Sequence, residues 1–209
     1  MKFVSLVSSG IDSPVATYLL SKKAEELILV HADNRPFTDE KELENFIKLA
    51  KHLKKHISCK MKAYTLQHGN TLHSYKKRCE DRFTCIFCKR MLLRYAEKIA
   101  EKEQADAIIM GDSLGQVASQ TLQNIRVIEQ AVSIPILRPL IGLDKEDIIK
   151  TAKKIGTYDL SILPSDGCSA VPKKPATQTK LNQILLEEEK INIDKLVSQA
   201  INNVEEISF

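Results

Sequence analysis

Ser8-Ser9-Gly10-Ile11-Asp12-Ser13 joins a short apolar run to a helical pattern and gives the clearest local indication of the fold. The preceding segment, Lys2 to Ser8, is β-branched and apolar, and Ser13 to Lys23 has helical periodicity with Pro14 near its start. A strand, a tight loop and a helix in this order direct backbone N–H groups and the helix dipole toward one point. The loop is therefore predicted to bind an anion, with its serine hydroxyls as further donors.

Asp12 lies within this loop and indicates which kind of anion is bound. Its carboxylate would repel a bare phosphate, but it suits Mg²⁺ held against the pyrophosphate of ATP. The sequence has neither the Gly-Lys-Ser/Thr of a Walker loop nor Gly-x-Gly-x-x-Gly, which disfavours kinases and dehydrogenases. A serine-rich turn with a simple helix cap remains the alternative reading.

Strands and helices alternate along the rest of the chain. The predicted strands are 27–32, 62–66, 107–110 and 134–137, and the predicted helices are 39–56, 86–103 and 144–155. This alternation predicts a three-layer α/β/α fold with a doubly wound, mostly parallel sheet of five strands and ligands at the carboxyl ends of the strands. The polar span 67–84 is predicted to be an insertion. Residues 1–176 are predicted to form one domain, extended by two helices in 177–209.

Composition indicates a soluble globular protein. The 209 residues are 43% apolar with a formal net charge of +4, which permits a polyanionic partner without requiring one. The N-terminal segment lacks the pattern of a signal peptide, and no apolar run is long enough for a bilayer. We therefore expect a cytoplasmic protein with no membrane association, whose five cysteines are reduced.

Cys85 and Cys88 have Cys-x-x-Cys spacing at the start of a predicted helix, and Cys168 lies in a later Gly-containing loop. The helix dipole with Lys89 and Arg90 is expected to favour thiolates at the first two positions. Three thiolates with an open position suit an iron–sulfur cluster. A persulfide or redox pair stays open, as do inert thiols and a structural zinc site, for which Cys79 or His73 would be the fourth ligand.

The loop at Ser8 to Ser13 resembles the Ser-Gly-Gly-x-Asp-Ser signature of PP-loop ATP pyrophosphatases, and Pro14-Val15-Ala16 resembles its version in the tRNA 4-thiouridine synthetase (ThiI-like) family. Ser9 stands where the family has Gly, so a positive φ there would be strained, and either the loop is adjusted or ATP binding is weaker. The resemblance continues through almost the whole chain. Its further segments are His31 to Thr38, Cys85 to Met91, Gly111 to Thr121 and Arg138 to Thr177.

The resemblance implies the adenine nucleotide alpha hydrolase-like fold and a set of site residues. Asp12, Lys145 and Cys168 become the candidate catalytic residues, with Asp12 as the Mg²⁺ ligand. Cys85, Cys88 and Cys168 become the candidate ligands of a [4Fe-4S] cluster. The candidate ATP contacts are Ser8, Ser9, Gly10, Asp12, Ser13, His31, Gly111, Ser113, Gln116 and Gln120.

The activity that the resemblance implies is sulfur transfer to tRNA. ATP would adenylate O4 of a uridine, and sulfur held by the cysteines would displace AMP to give 4-thiouridine. Full-length relatives carry ferredoxin-like and THUMP regions before the PP-loop, so we expect RNA binding to involve a separate THUMP protein, a homodimer or both, beside a sulfur donor. A PP-loop enzyme acting on a small molecule, by thiamine-type sulfur transfer or amidation, and an inactive nucleotide-binding module remain alternatives.

Three basic runs are candidates for contacts with RNA phosphates: Lys51 to His56, Tyr75 to Arg78, and Lys173-Lys174. Lysines on helix faces are usually exposed to solvent and have no binding role, and this interpretation is the stronger one for Lys51 to His56.

Overall fold

The computed structural model describes residues 1–209 and places six strands in a single sheet. The strands are β1 (Lys2–Leu6), β2 (Glu26–Asp33), β3 (Lys60–Gln67), β4 (Ala107–Ile109), β5 (Ile136–Leu137) and β6 (Glu205–Glu206). Their order across the sheet is β5-β4-β1-β2-β3-β6. Strands β1 to β5 are parallel to one another, and β6 pairs antiparallel with β3.

The mostly parallel α/β sheet is confirmed, but the predicted number of five strands is wrong. The sixth strand consists of two exposed glutamates, which pair with Tyr64 and Thr65 of β3. Charged residues commonly occupy a sheet edge because they discourage pairing with another chain. A charged dipeptide has no apolar pattern, so its pairing with a strand far earlier in the sequence was not predictable.

Helices cover both faces of the sheet. They are α1 (Asp12–Ser21), α2 (Glu40–His56), α3 (Gly69–Arg78), α4 (Thr84–Glu103), α5 (Leu122–Glu129), α6 (Lys145–Lys154), α7 (Tyr158–Ser161), α8 (Leu181–Glu188) and α9 (Ile193–Asn202). The span 67–84, which we expected to be an insertion, contains α3. None of these helices combines the length and apolarity that crossing a bilayer requires.

The alternation of side chains along β2 divides the core into two clusters. Leu27 and Leu29 pack in the cluster that includes residues of α1, α2 and α6. Ile28 and Val30 pack in the opposite cluster, which includes residues of α4, α5, α8 and α9. Successive side chains of a strand point to opposite faces, so a strand buried on both faces reads as a continuous apolar run.

The C-terminal helices pack in the same layer as α4. Glu188 of α8 accepts hydrogen bonds from Arg90 at 2.9 Å and from Arg94 at 2.8 Å, and these two arginines lie on α4. Ile184 of α8 and Val197 of α9 belong to the core cluster on that face. These contacts support our proposal that residues 177–209 extend the domain formed by 1–176.

The strand order places β1 between β2 and β4, so the chain changes direction across the sheet at β1. At such a point the connections from two neighbouring strands lead to opposite faces of the sheet, here α1 after β1 and α5 after β4, and a crevice opens at the carboxyl ends of the strands. The loops that follow β1, β2 and β4 therefore converge there.

Candidate active site

A cavity of about 350 Å³ opens at this crevice. Most of the predicted nucleotide contacts line it, namely Ser8, Gly10, Asp12, Ser13, His31, Gly111 and Gln120. The other three, Ser9, Ser113 and Gln116, are not among its lining residues. Three strand ends thus bring together segments that are far apart in the sequence.

The loop after β1 is folded around two hydroxyl groups. The backbone N–H of Ser8 donates to Oγ of Ser13 at 2.9 Å, and the N–H of Gly10 approaches Oγ of Ser8 at 3.3 Å. Helix α1 follows, and its N-cap residue Ile11 provides no side-chain acceptor for the first helical N–H groups. Because the first N–H groups of a helix have no intrahelical partner, this end is suited to an anion.

Ser9 is not a lining residue of the cavity, and its side chain anchors the loop to Glu42 of α2, which does line it. Its Oγ donates to Oε2 of Glu42 at 2.6 Å, and its φ is not positive. The prediction that the loop is adjusted at Ser9 agrees with this backbone conformation, which any L-residue can adopt. The hydroxyl adds a hydrogen bond that glycine at this position would lack.

Gly111 is required by the close approach of two backbones. A Cβ atom at this position would lie 2.8 Å from both the N and Cα atoms of Ser13. The loop after β4 therefore presses directly against the first turn of α1. Any larger residue at position 111 would displace one wall of the cavity.

Three hydrogen-bond acceptors of the cavity wall have no partner within the protein: Nε2 of His31, Oδ1 of Asn34 and Oε1 of Gln120. Nδ1 of His31 lies 2.9 Å from the carbonyl oxygen of Val7, and burial lowers the pKa of the ring. The ring is therefore neutral with its proton on Nδ1, which leaves Nε2 as an acceptor. Buried acceptors of this kind are unusual in the absence of a ligand or water.

Lys89 and Asp112 form a charged part of the wall, although neither was predicted as a nucleotide contact. Nζ of Lys89 donates to Oδ1 of Asp112 at 2.7 Å, and Nε of Arg138 donates to Oδ2 at 3.2 Å. Burial would raise the pKa of Asp112, but the two cations outweigh it and hold the pKa below its ordinary value. The signals available in the sequence were a lysine directly after Cys-x-x-Cys and an acid after a strand.

Lys145 contacts the loop from Ser8 to Ser13, called the phosphate loop below, through Asp12. Nζ of Lys145, in the first turn of α6, donates to Oδ1 of Asp12 at 2.5 Å. Both side chains are partly exposed, so the pair is accessible to a ligand. The structure thus brings together two of the three predicted catalytic residues.

Ser113 and Gln116 organise the loop after β4. Oγ of Ser113 donates to the carbonyl oxygen of Leu143 at 3.1 Å, and Nε2 of Gln116 donates to Oγ of Ser113 at 3.1 Å. These bonds tie the loop to the segment that precedes α6. In this structure the two side chains hold the loop after β4 in place and do not line the cavity.

The thiols of Cys85, Cys88 and Cys168 are close to one another, since Cys85 and Cys168 both raise the pKa of Cys88 and Cys168 also raises that of Cys85. Burial is the larger effect, and it raises the pKa of Cys88 to about 12. The expectation that thiolates are favoured at Cys85 and Cys88 is therefore wrong for the protein alone. Arg90, expected to assist, instead points into the core and donates to Glu188.

The structure shows no group of three or more His, Cys, Asp or Glu side chains arranged to hold a metal ion. Cys79 does not extend the set, because its Sγ contacts the carbonyl oxygen of Glu187 at 3.3 Å on α8. His73, the other residue considered for zinc, is exposed on α3. The three cysteines are therefore neighbours that lack a preformed coordination geometry.

Comparison with solved structures shows a close relative. A 4-thiouridine synthetase, solved as an RNA complex with bound ATP, superposes with a TM-score of 0.93 at 36% identity, over 99% of this chain and 55% of that one. The NMN synthetase of Francisella tularensis shares the fold, with a TM-score of 0.57 at 13% identity.

Curated relatives also match most of this chain with about half of their own length. A "Probable tRNA sulfurtransferase" of Methanothermobacter thermautotrophicus is 46% identical over 199 residues, which are 95% of this chain and 51% of that protein. Another of the same name from Thermococcus kodakarensis is 47% identical over 178 residues, 83% of this chain and 46% of that protein. The chain thus spans about half the length of the relatives it matches. The thiamine biosynthesis protein (ThiI) family matches residues 1–193, and the chain belongs to this family.

Proposed function

We propose that this chain is the ATP-dependent catalytic part of a tRNA sulfurtransferase that forms 4-thiouridine. Support comes from membership of the ThiI family, from the ATP and RNA of the related 4-thiouridine synthetase structure, and from the polarity of the cavity. The proposed acceptor is O4 of a uridine in tRNA.

The observation that carries the proposal is that the cavity wall contains both hydrogen-bond donors and unpartnered acceptors. Serine hydroxyls and the uncapped start of α1 suit the phosphates of ATP. The unpartnered acceptors of His31, Asn34 and Gln120 suit groups that donate, which are the adenine amino group and the ribose hydroxyls. A nucleotide triphosphate has both kinds of group in one molecule.

Asp12 and Lys145 would act on the phosphates. The carboxylate of Asp12 is the kind of oxygen ligand that Mg²⁺ prefers, and it lines the cavity beside the phosphate loop. Mg²⁺, when bound, would offset the charge of the pyrophosphate. Lys145 brings a positive charge to the same place, 2.5 Å from the Asp12 carboxylate, and would stabilise charge that develops as pyrophosphate leaves.

The reaction divides into two displacements. In the first, O4 of the uridine attacks the α-phosphorus of ATP, the bond to pyrophosphate breaks, and O4 becomes adenylated. In the second, hydrosulfide attacks C4, the C4–O4 bond breaks, and AMP leaves with the original oxygen. Adenylation is needed because an amide-type oxygen is a poor leaving group.

Cys85, Cys88 and Cys168 would hold the sulfur. Their donor set fits a [4Fe-4S] cluster in chemistry, because they are three neighbouring thiols whose mutual repulsion on ionisation would be relieved by cationic iron. A bound cluster would supply an iron position for sulfide. Lys89 lines the nucleotide cavity and follows Cys88 directly, so it lies between the two halves of the site.

The remaining partners are also proposals. We propose that tRNA binding also uses a THUMP protein, a homodimer or both. A sulfur donor would supply the cysteines. We retain the cytoplasm as the proposed location, because the substrate is tRNA.

The test is thiolation of unmodified tRNA by anaerobically purified protein with Mg-ATP and sulfide, observed as retardation on an organomercury gel. We expect a retarded band that is lost in the Asp12→Ala and Cys168→Ala variants. ATP binding without a retarded band, when a THUMP protein and a sulfur donor are also supplied, would refute a role in tRNA thiolation.

A further inference from the structure

A second depression lies on the thiol side of the molecule. It has a volume of about 520 Å³ and is formed by the end of α3, the turn that precedes α4 and the segment after Cys168. We call it the basic cleft, and its lining residues are Lys76, Asp81, Arg82, Ser169, Val171, Lys173 and Lys174. It unites two of the basic runs that the sequence analysis singled out.

Positive charge dominates the basic cleft, with four cations against one carboxylate, Asp81. Lys76 pairs with Asp81, and Arg82 pairs with Glu80 at 2.8 Å just outside the cleft. Lys173 and Lys174 are exposed and form no ion pair within the protein. Two lysine charges are therefore available to a partner.

The basic cleft has a fixed position beside the cysteines. Ser169 directly follows Cys168, and its N–H donates to the carbonyl oxygen of Phe37 at 2.8 Å. At the other end of the segment, the N–H of Ala176 donates to the carbonyl oxygen of Arg82 at 3.0 Å. The segment that carries Lys173 and Lys174 is thus held at both ends.

The opposite wall of the cleft is also close to the thiols. Asp81 and Arg82 lie in the turn that leads directly into α4, only a few residues before Cys85 at the start of that helix. A strand lying along the cleft would therefore pass next to Cys85 and Cys168.

We propose that the basic cleft binds backbone phosphates of the RNA strand that carries the acceptor nucleotide, and thereby directs that nucleotide toward Cys168. The inference rests on the proposed function for the identity of the substrate. Lysine ammonium groups are point charges that neutralise phosphates without reading sequence, which suits a site that positions a strand. The solvent-exposed opening of the cleft fits a polymer that enters and leaves.

The double variant Lys173→Glu/Lys174→Glu tests this proposal. The matched control is Lys22→Glu/Lys23→Glu, which reverses two adjacent exposed lysines after α1 that also form no ion pair and lie outside the three basic runs. Affinity for fluorescently labelled, unmodified tRNA is measured by anisotropy over a range of salt concentrations, with ATP affinity measured in parallel. We expect tRNA affinity at low salt to fall at least tenfold in the cleft variant only. For the cleft variant, the slope of the logarithm of the tRNA binding constant against the logarithm of salt concentration should become less negative by about 1.4 to 1.8. Each of the two lost phosphate contacts removes about 0.7 to 0.9 from this slope.

ATP affinity should remain that of the unmodified protein in both variants. An equal loss of tRNA affinity in the control would overturn the proposal, and so would wild-type tRNA affinity in the cleft variant. If the cleft variant kept its tRNA affinity but lost sulfur transfer from a protein donor, the cleft would be a donor site instead. Failure of the proposed function has a different outcome. If the unmodified protein binds tRNA through the cleft but never forms 4-thiouridine, the cleft proposal stands and the proposed sulfurtransferase activity is refuted.

Discussion

Nζ of Lys145 lies 2.5 Å from Oδ1 of Asp12, and this contact joins the first turns of α1 and α6 at the phosphate loop. Pairing with a carboxylate of the loop gives Lys145 a position that a solvated lysine on the first turn of a helix would not have. The pair also explains why two residues so distant in the sequence belong to one site.

Asp12→Asn and Lys145→Gln should each lower ATP-dependent pyrophosphate release by about 10²- to 10³-fold, because each removes a charge that would act on the leaving group. The control is Lys150→Gln, an exposed lysine of the same helix that pairs with Asp147 at 3.0 Å. Pyrophosphate release at saturating ATP is the measurement. Wild-type rates in Lys145→Gln would show that its contact with Asp12 serves no catalytic purpose.

Gly111→Ala should weaken ATP binding at least tenfold, because its Cβ would lie 2.8 Å from the backbone of Ser13 and force the phosphate loop to move. Gly142→Ala is the matched control, since a Cβ there would meet nothing within 4 Å. Calorimetric titration with ATP distinguishes the two variants. Equal affinities would mean that the loop after β4 can move away at little cost.

Ser9→Gly should preserve ATP affinity, since the Ser9 side chain points to Glu42 and its φ is not positive. The variant should lose about 1–3 kcal/mol of unfolding free energy, because it removes a hydrogen bond to a carboxylate and adds freedom to the unfolded chain. Urea denaturation and ATP titration are compared with Glu44→Gln, an exposed residue of α2. A gain in ATP affinity would show that Ser9 constrains the loop unfavourably.

Glu188→Gln should lower the unfolding free energy at pH 7 by about 3–5 kcal/mol, which is roughly 10 °C in Tm, because Arg90 and Arg94 would lose their shared carboxylate. Burial raises the pKa of Glu188, but the two arginines outweigh burial and depress it below its ordinary value of 4.5. The stabilisation is therefore complete above that value and is lost as the pH falls through the lower folded-state pKa.

The Tm difference between Glu188→Gln and the unmodified protein should consequently be constant from about pH 7 to 5 and shrink below pH 4.5. Thermal unfolding by circular dichroism across this range is the measurement. The exposed neighbour Glu189→Gln should leave Tm within about 2 °C at every pH, since a surface substitution costs little. A pH-independent difference would assign the effect of Glu188 to packing.

Cys88→Ala should abolish the binding of iron to anaerobically reconstituted protein, because removing one of three thiols leaves too few ligands for a cluster. Cys59→Ala is the control, as Cys59 packs against the other core cluster and has no contact with the set. Iron analysis and electron paramagnetic resonance give readouts that are independent of activity. An iron-free unmodified protein that thiolates tRNA would eliminate the cluster and favour a persulfide.

Local chemistry in the sequence was enough to predict much of the fold and part of the site. The loop from Ser8 to Ser13, the apolar runs of β1 to β4 and the periodicity of α2 depend on neighbouring residues, so they could be read without coordinates. Gly111, Gln120 and His31 became candidates through the resemblance to the PP-loop family, and the convergence of parallel strands at their carboxyl ends explains why all three line one cavity.

Packing between layers determined the remaining features. The Asp12–Lys145 pair, the Glu42 anchor of Ser9 and the meeting of Lys76 with Lys173 each join segments from different elements. The raised pKa of Cys88 depends on how deeply α4 is buried, which outweighs the helix dipole and Lys89. Periodicity and capping specify which residues form a helix or strand. Burial and long-range pairing arise only when these elements pack, and together they determine the pKa values and protonation states of the side chains in this site.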